Sequence, residues 1–135
     1  MQDKIFLDSN IILYTLTDEV KKKEIAIDLL IEEPTISIQV INEVSNILIK
    51  KHNLNISEIK ENIKFINEFV IVTLISLNTI YKAYEIKEKY KYSYYDSLII
   101  ASAIENNCNV LYSEDMQHNQ MINDTLKIIN PFVED

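Results

Sequence analysis

Four carboxylates carry the chemistry this sequence can do: Asp8, Glu43, Asp96 and Asp115. Two of them belong to one stretch, YSYYDSLIIASAIENNCNVLYSEDMQ, Tyr92 to Gln117, with Asp96 at a helix start and Asp115 just past a strand. Carboxylates gathered in one pocket repel one another unless a cation neutralises them. Hard divalent ions such as Mg2+ and Mn2+ prefer carboxylate and water oxygens. Such a cluster suits metal-assisted phosphodiester hydrolysis, in which the ions orient the scissile phosphate, activate a water and neutralise developing charge. One carboxylate can then act as general base.

Each acid must be positioned by the element before it. KIFL, 4–7, reads as an apolar strand ending at Asp8-Ser9-Asn10, three residues that favour turns and helix caps. IILYTL follows as a short buried helix. Thr17-Asp18 is expected to cap a helix running to about Glu32, broken by Pro34. TISI, 35–38, is a β-branched strand. Gln39 to about His52 is helical by period, with Glu43 flanking a stripe of Val40, Val44, Ile47 and Leu48. Ser57 is expected to cap a helix to about Phe69. VIVTLI, 70–75, reads as a buried strand. A helix from Leu77 to about Tyr90, a helix over 94–107 and a strand over 109–112 come next. A helical turn at 116–123 and a last strand, LKIIN 126–130, end the chain.

Strands alternate with helices and no hairpin turn is visible. That pattern predicts an α/β fold, one domain over 1–135 with a central parallel sheet flanked by helices. Ligands of open α/β sheets bind outside the carboxyl ends of the strands. Asp8 and Asp115 each directly follow a strand, so both belong at that edge. Glu43 lies near the start of the helix after TISI, which faces the same edge. Ser93-Tyr94-Tyr95-Asp96 fits a capping box, which alone would make Asp96 structural. Its helix, however, is apolar nearly all round and therefore buried. A buried-facing carboxylate needs a partner, and a metal is one; the cap and ligand roles can coexist.

Composition narrows the field. In 135 residues no apolar run reaches the roughly 18 of a membrane span, and the N-terminus shows no secretory pattern. One cysteine permits no internal disulfide, which fits a reducing cytosol; Cys108 reads as a small buried residue. The net charge is −8 and every cation is lysine. That argues against a broad nucleic-acid-binding surface and removes the best bidentate phosphate ligand. Phosphate chemistry here must lean on bound metal and local lysines. The absence of glycine excludes P-loop and dinucleotide fingerprints.

Several other features have two readings. Lys89 to Tyr95 interleaves cations with aromatics beside Asp96, as single-stranded RNA binders do, although tyrosines entering a buried helix also pack or make dimer contacts. Lys21-Lys22-Lys23 reads as a solvated face or a steering patch. His118 can assist proton transfer. His52 is a favourable cation at a helix end.

FLDSNIILY, QVINEVSNIL, YSYYDSLIIASAIENNC and VLYSEDMQHNQ, in this order, resemble a PIN domain of the VapC type, the ribonuclease toxins of bacterial toxin–antitoxin pairs. The resemblance covers nearly the whole chain. It implies a Rossmann-like three-layer sandwich and a Mg2+- or Mn2+-dependent endoribonuclease with Asp8, Glu43, Asp96 and Asp115 as its acidic cluster. It further implies Asp8 and Asp96 as the principal Mg2+ holders, with Asn10 and Ser113 in support. An RNA substrate, a homodimer, a small antitoxin partner and a cytoplasmic setting also follow from it. The family usually carries glycine after the histidine of SEDMQH; this chain has Asn119, which tolerates positive φ better than most residues. Two rivals stand beside this reading. One is a PIN-fold module that only binds RNA or protein. The other is an aspartyl phosphatase, which wants Asp-x-Asp where this chain has Asp8-Ser9-Asn10. A receiver-type domain lacks its lysine after a late strand.

Overall fold

Short apolar segments form the sheet, and amphipathic segments between them form the helices. The computed structural model describes residues 2–134. In chain order the elements are β1 (Ile5–Leu7), α1 (Ser9–Thr15), α2 (Val20–Leu30), β2 (Thr35–Ser37), α3 (Ile38–His52) and α4 (Ile56–Asn67). They continue with β3 (Ile71–Thr73), α5 (Leu77–Tyr90), α6 (Tyr94–Glu105), β4 (Val110–Tyr112), β5 (Met121–Ile122) and β6 (Leu126–Ile129). The sheet order is β3-β2-β1-β4-β6-β5, parallel throughout except for β5 against β6. The expected α/β architecture is therefore present.

Strand order reverses at β1, which lies between β2 and β4. The crevice beyond the carboxyl ends of β1 and β4 is thus the switch point where open α/β sheets bind ligands. Phe6, Leu7, Ile36, Leu111 and Ile128 are fully buried in the sheet, and Ile11, Val40, Val44, Ile99 and Ile100 pack on it from the helices. Seven consecutive residues of α6, Ser97 to Ala103, are buried, as its apolar circumference predicts. Cys108 is buried, and burial pushes its thiol up, which leaves it unreactive.

The local expectations fail in four places. Helix α2 starts at Val20 with Glu19 as a cap that makes no side-chain bond, so Thr17-Asp18 does not cap it. Helix α4 is capped by Asn55, two residues before Ser57, through a full capping box with Glu58. Strand β3 is an edge strand rather than a buried one, with Ile71 57% exposed, because among the described residues no strand pairs with its outer side. Residues 116–123 form no helix. They lead into a hairpin, β5–β6, whose turn runs through Asn123 (φ 49°) and Asp124 (φ 58°), closed by Thr125 N–H donating to Ile122 O at 3.1 Å. Positive φ at both central positions is what a type I′ hairpin turn requires, and Asn-Asp supplies it where glycine is usual.

Lacking glycine, the chain places asparagine at most of its left-handed positions, among them Asn53, Asn107 and Asn119 (φ 68°). Asn119 therefore adopts the conformation its substitution for glycine demands. Lys91, the C-cap of α5 at φ 66°, is a less suited residue. Lys91→Gly is expected to stabilise the fold by about 0.5–1 kcal/mol, the left-handed strain of a β-carbon less the extra entropy of glycine, measured by urea unfolding. Among the described residues no helix is long and apolar enough to cross a membrane.

Candidate functional site

Register brings the first two site residues together. Leu7 is paired with Tyr112 across the β1–β4 ladder, so Asp8 and Ser113 leave the sheet side by side. The Asp8 N–H donates to Tyr112 O at 3.0 Å, which fixes this alignment at the strand ends. Asp8 is the N-cap of α1 and is buried. The Ser9 amide donates to Asp8 Oδ1 at 2.7 Å, and the Ser113 hydroxyl donates to Asp8 Oδ2 at 2.8 Å. Ser113 Oγ also accepts from the Asp115 amide at 3.3 Å. Asn10 closes the link between the two strand-end loops. Its Nδ2 donates to Asp115 Oδ2 at 3.0 Å, and its Oδ1 accepts from the Glu114 amide at 3.2 Å.

Glu43 reaches the same place from α3, whose start is capped by Ser37. Glu43 Oε2 accepts from Ser9 Oγ at 3.3 Å, and that hydroxyl also lies 3.4 Å from Asp8 Oδ1. Ser9 thus shares one proton between Asp8 and Glu43. Sequence reasoning treats Ser9 only as a turn residue; its position directly after Asp8, at the first turn of a helix, is the signal that could have found it. Asp96 sits half-buried in the first turn of α6, where its amide donates to Ser93 Oγ at 3.2 Å. Ser93 caps the helix, and from this turn the Asp96 charge bears on Asp8 and Glu43.

Electrostatics tie the four acids together. Burial pushes the Asp8 carboxyl up to about 7, against the bonds from Ser113 and Ser9, and the charges of Asp96 and Glu43 add to the shift. Burial also raises Glu43 and Asp96, with the Asp96 charge acting on Glu43 and the Asp115 charge acting on Asp96. Asp115 itself is exposed. The donors are all hard oxygens, which suits Mg2+ or Mn2+. Yet among the described residues no three of these side chains already converge as a ready ligand set. The arrangement is a buried carboxyl linked to Glu43 through Ser9 and to the Asp115 loop through Ser113 and Asn10, with Asp96 coupled to it by charge alone.

Other sequence candidates take structural places. Lys22 is not a free solvated cation: it bonds Glu114 and the Tyr14 hydroxyl, and stands 4.9 and 5.3 Å from the centroids of the Tyr14 and Phe132 rings. Tyr14 also donates to Glu114 Oε1 at 2.6 Å, so α1 and α2 together anchor the residue beside Asp115. Tyr90 and Tyr92 hold the 117–123 segment through Gln117, Gln120 and Asn123 rather than presenting free rings. His118 Nδ1 accepts the Asn130 amide at 2.9 Å, which gives the ring a structural role at the end of β6.

Two depressions flank the acids. One, of about 450 Å³, has Asn10, Tyr14, Lys51, His52, Glu114 and Asp115 among its walls. The other, of about 340 Å³, is lined by Gln39, Asn42, Glu43, Asn46 and Tyr95. A larger apolar groove of about 520 Å³ between α3, α4 and β3 contains none of the acids.

The structure is similar to several solved ones. A toxin–antitoxin complex from Klebsiella pneumoniae superposes at a TM-score of 0.71 with 17% identity, covering 96% of this chain and 98% of that one. VapBC2 of Rickettsia felis, solved bound to a DNA fragment from its promoter, gives 0.70 and 17%, covering 92% and 96%. VapC20 of Mycobacterium tuberculosis, a toxin that cleaves the sarcin–ricin loop, gives 0.65 and 15%, covering 80% and 87%. At such identities the likeness is one of fold. No curated protein matches the chain in sequence. The family pattern of the PIN domain, however, matches residues 5–122, from the first strand to the outer strand of the hairpin, and by that match the chain belongs to the PIN domain family.

Proposed function

We propose that this protein is a Mg2+- or Mn2+-dependent endoribonuclease, the toxin of a type II toxin–antitoxin pair. The observation that carries the reading is Asp8. It is a buried carboxylate at the switch point of the sheet, pinned by Ser9 and Ser113 and pressed by the charges of Glu43 and Asp96. A fold that only needed stability would not concentrate unneutralised acids there.

A divalent ion bound here would supply Lewis acidity, charge neutralisation and an activated water. Asp8 and Asp96 are the residues assigned to hold it, with Glu43 and Asp115 completing the oxygen set. Ser113 orients Asp8, Ser9 couples Asp8 to Glu43, and Asn10 fixes Asp115. Glu43, raised by burial, is suited to accept a proton as general base. Lys51 and His52, in the depression that begins at Asp115, can meet backbone phosphates next to the acids. On this reading residues 1–135 act as one PIN-like domain in the cytoplasm, forming a homodimer and held inactive by an antitoxin. Support for the partner comes from the similar folds solved as toxin–antitoxin complexes.

A second reading, a PIN-fold module that binds RNA or protein without turnover, is favoured by one observation: no three ligands converge among the described residues. Incubating the purified chain with RNA at saturating Mg2+ or Mn2+ separates the two. Turnover supports the nuclease, and binding without turnover supports the module. Ser113→Ala is expected to weaken Mn2+ binding about ten- to a hundredfold, as loss of an orienting hydrogen bond behind a metal ligand does. Calorimetric titration reads it, with circular dichroism to confirm the fold.

A further inference from the structure

We propose that the depression between α3 and the start of α6 is a nucleobase pocket that sets which RNA sequence is cut. The proposal rests on the endoribonuclease reading. Gln39, Asn42, Glu43 and Asn46 follow one another at helical spacing on α3, so they share one face. Tyr95, from the first turn of α6, forms the opposite wall and is 58% exposed. Its ring is braced by Tyr94, centroid to centroid 5.3 Å at 65°, and Tyr94 stands 6.0 Å from Tyr84.

The lining distinguishes a base from a phosphate. Among the described residues no lysine borders this depression, and the one charge there is the carboxylate of Glu43, which repels phosphate. Three side-chain amides each offer donors and an acceptor, the complement needed for the Watson–Crick edge of an unpaired base. A Glu43 oxygen can accept from an exocyclic amino group, while the Tyr95 ring offers a stacking surface. The volume of about 340 Å³ falls within the roughly 300–1,000 Å³ of small-ligand sites. Because Glu43 belongs both to this pocket and to the acid cluster, a base seated here puts its neighbouring phosphate at the acids. The depression on the other side of Asp115 places Lys51 and His52 beside Glu19, Glu114 and Asp115, so the backbone's charge contact there rests on Lys51 while the bases are read on the α3 side.

The chain has no tryptophan, so Tyr95→Trp introduces a single indole reporter. In an Asp8→Asn background, a fluorescein-labelled single-stranded RNA should quench that indole with the same midpoint that its anisotropy reports. RNA binding by anisotropy with an unchanged indole overturns the pocket. In a second arm, the native chain, Tyr95→Phe, Tyr95→Ala, Asn42→Ala and Asn46→Ala cleave a sequence-randomised RNA. The alanine variants should lose discrimination at one position by at least about fivefold, and Tyr95→Phe should keep it. An unaltered preference in all three alanine variants overturns the pocket while leaving the nuclease intact. Failure of the native chain to cleave and of the Asp8→Asn chain to bind any RNA overturns the nuclease reading, and the pocket with it.

Discussion

Asp8→Asn is expected to slow RNA cleavage at least about a hundredfold and, in metal-free buffer at pH 8, to make the chain more stable than the native one. Both effects come from one carboxylate. The Asp8 side chain is buried, and its carboxyl is pushed from 3.8 to about 7. The folded chain therefore holds a proton that the unfolded chain releases. Stability from this group is greatest below about pH 4, declines as pH rises to about 7, and stays low above that. The shift corresponds to about 4 kcal/mol of folded-state penalty at pH 8. An asparagine removes the charge and keeps the hydrogen bonds. Its Oδ1 accepts from the Ser9 amide, and its Nδ2 donates to the Ser113 hydroxyl, which can rotate to accept. Urea unfolding in chelator at pH 5 and pH 8, beside a cleavage assay, reads both effects. The gain should be smaller at pH 5. A variant that is less stable than the native chain at pH 8 would contradict the burial account, and undiminished cleavage would sink the assignment of Asp8.

Cleavage is expected to stop in chelator, to return with Mg2+ or Mn2+, and to fall at least about a hundredfold in Asp96→Asn at saturating metal. The same ions should stabilise the native chain, by about 2.7 kcal/mol at a concentration one hundred times the dissociation constant. Asp8 has to be ionised to ligate, so metal binding releases a proton where Asp8 would otherwise hold one. Affinity should then drop as pH falls through about 7 and level off above it, opposite in direction to the metal-free stability. Calorimetry in two buffers of different ionisation enthalpy measures both the affinity and the proton count. Cleavage that persists in chelator would remove the metal from the proposal.

Where the sequence succeeded and where it failed follow a physical rule. The alternation of strand and helix, the burial of α6 and the left-handed backbone at Asn119 were all legible, because each depends on neighbours within a few residues. The exposure of β3 was not legible. VIVTLI has the composition of an interior strand, but strand order made it an edge. The Asn123-Asp124 hairpin was missed for lack of the usual glycine. Lys22 reads as one of three solvated lysines until Glu114, from a distant loop, is folded against it. Tyr92 and His118 likewise found partners far along the chain.

By itself the sequence determined the family resemblance, the layered α/β class and the four acids worth naming, since residue type and short-range periodicity are properties of the chain alone. Only the tertiary structure decided that Asp8 is buried, that Ser113 stands beside it across 105 residues, and that Ser9 joins it to Glu43. Those relations come from the register of β1 on β4 and the packing of α3 over α1. Cross-strand register is set by the pairing of distant segments and by which faces they bury, and neither is written in local pattern.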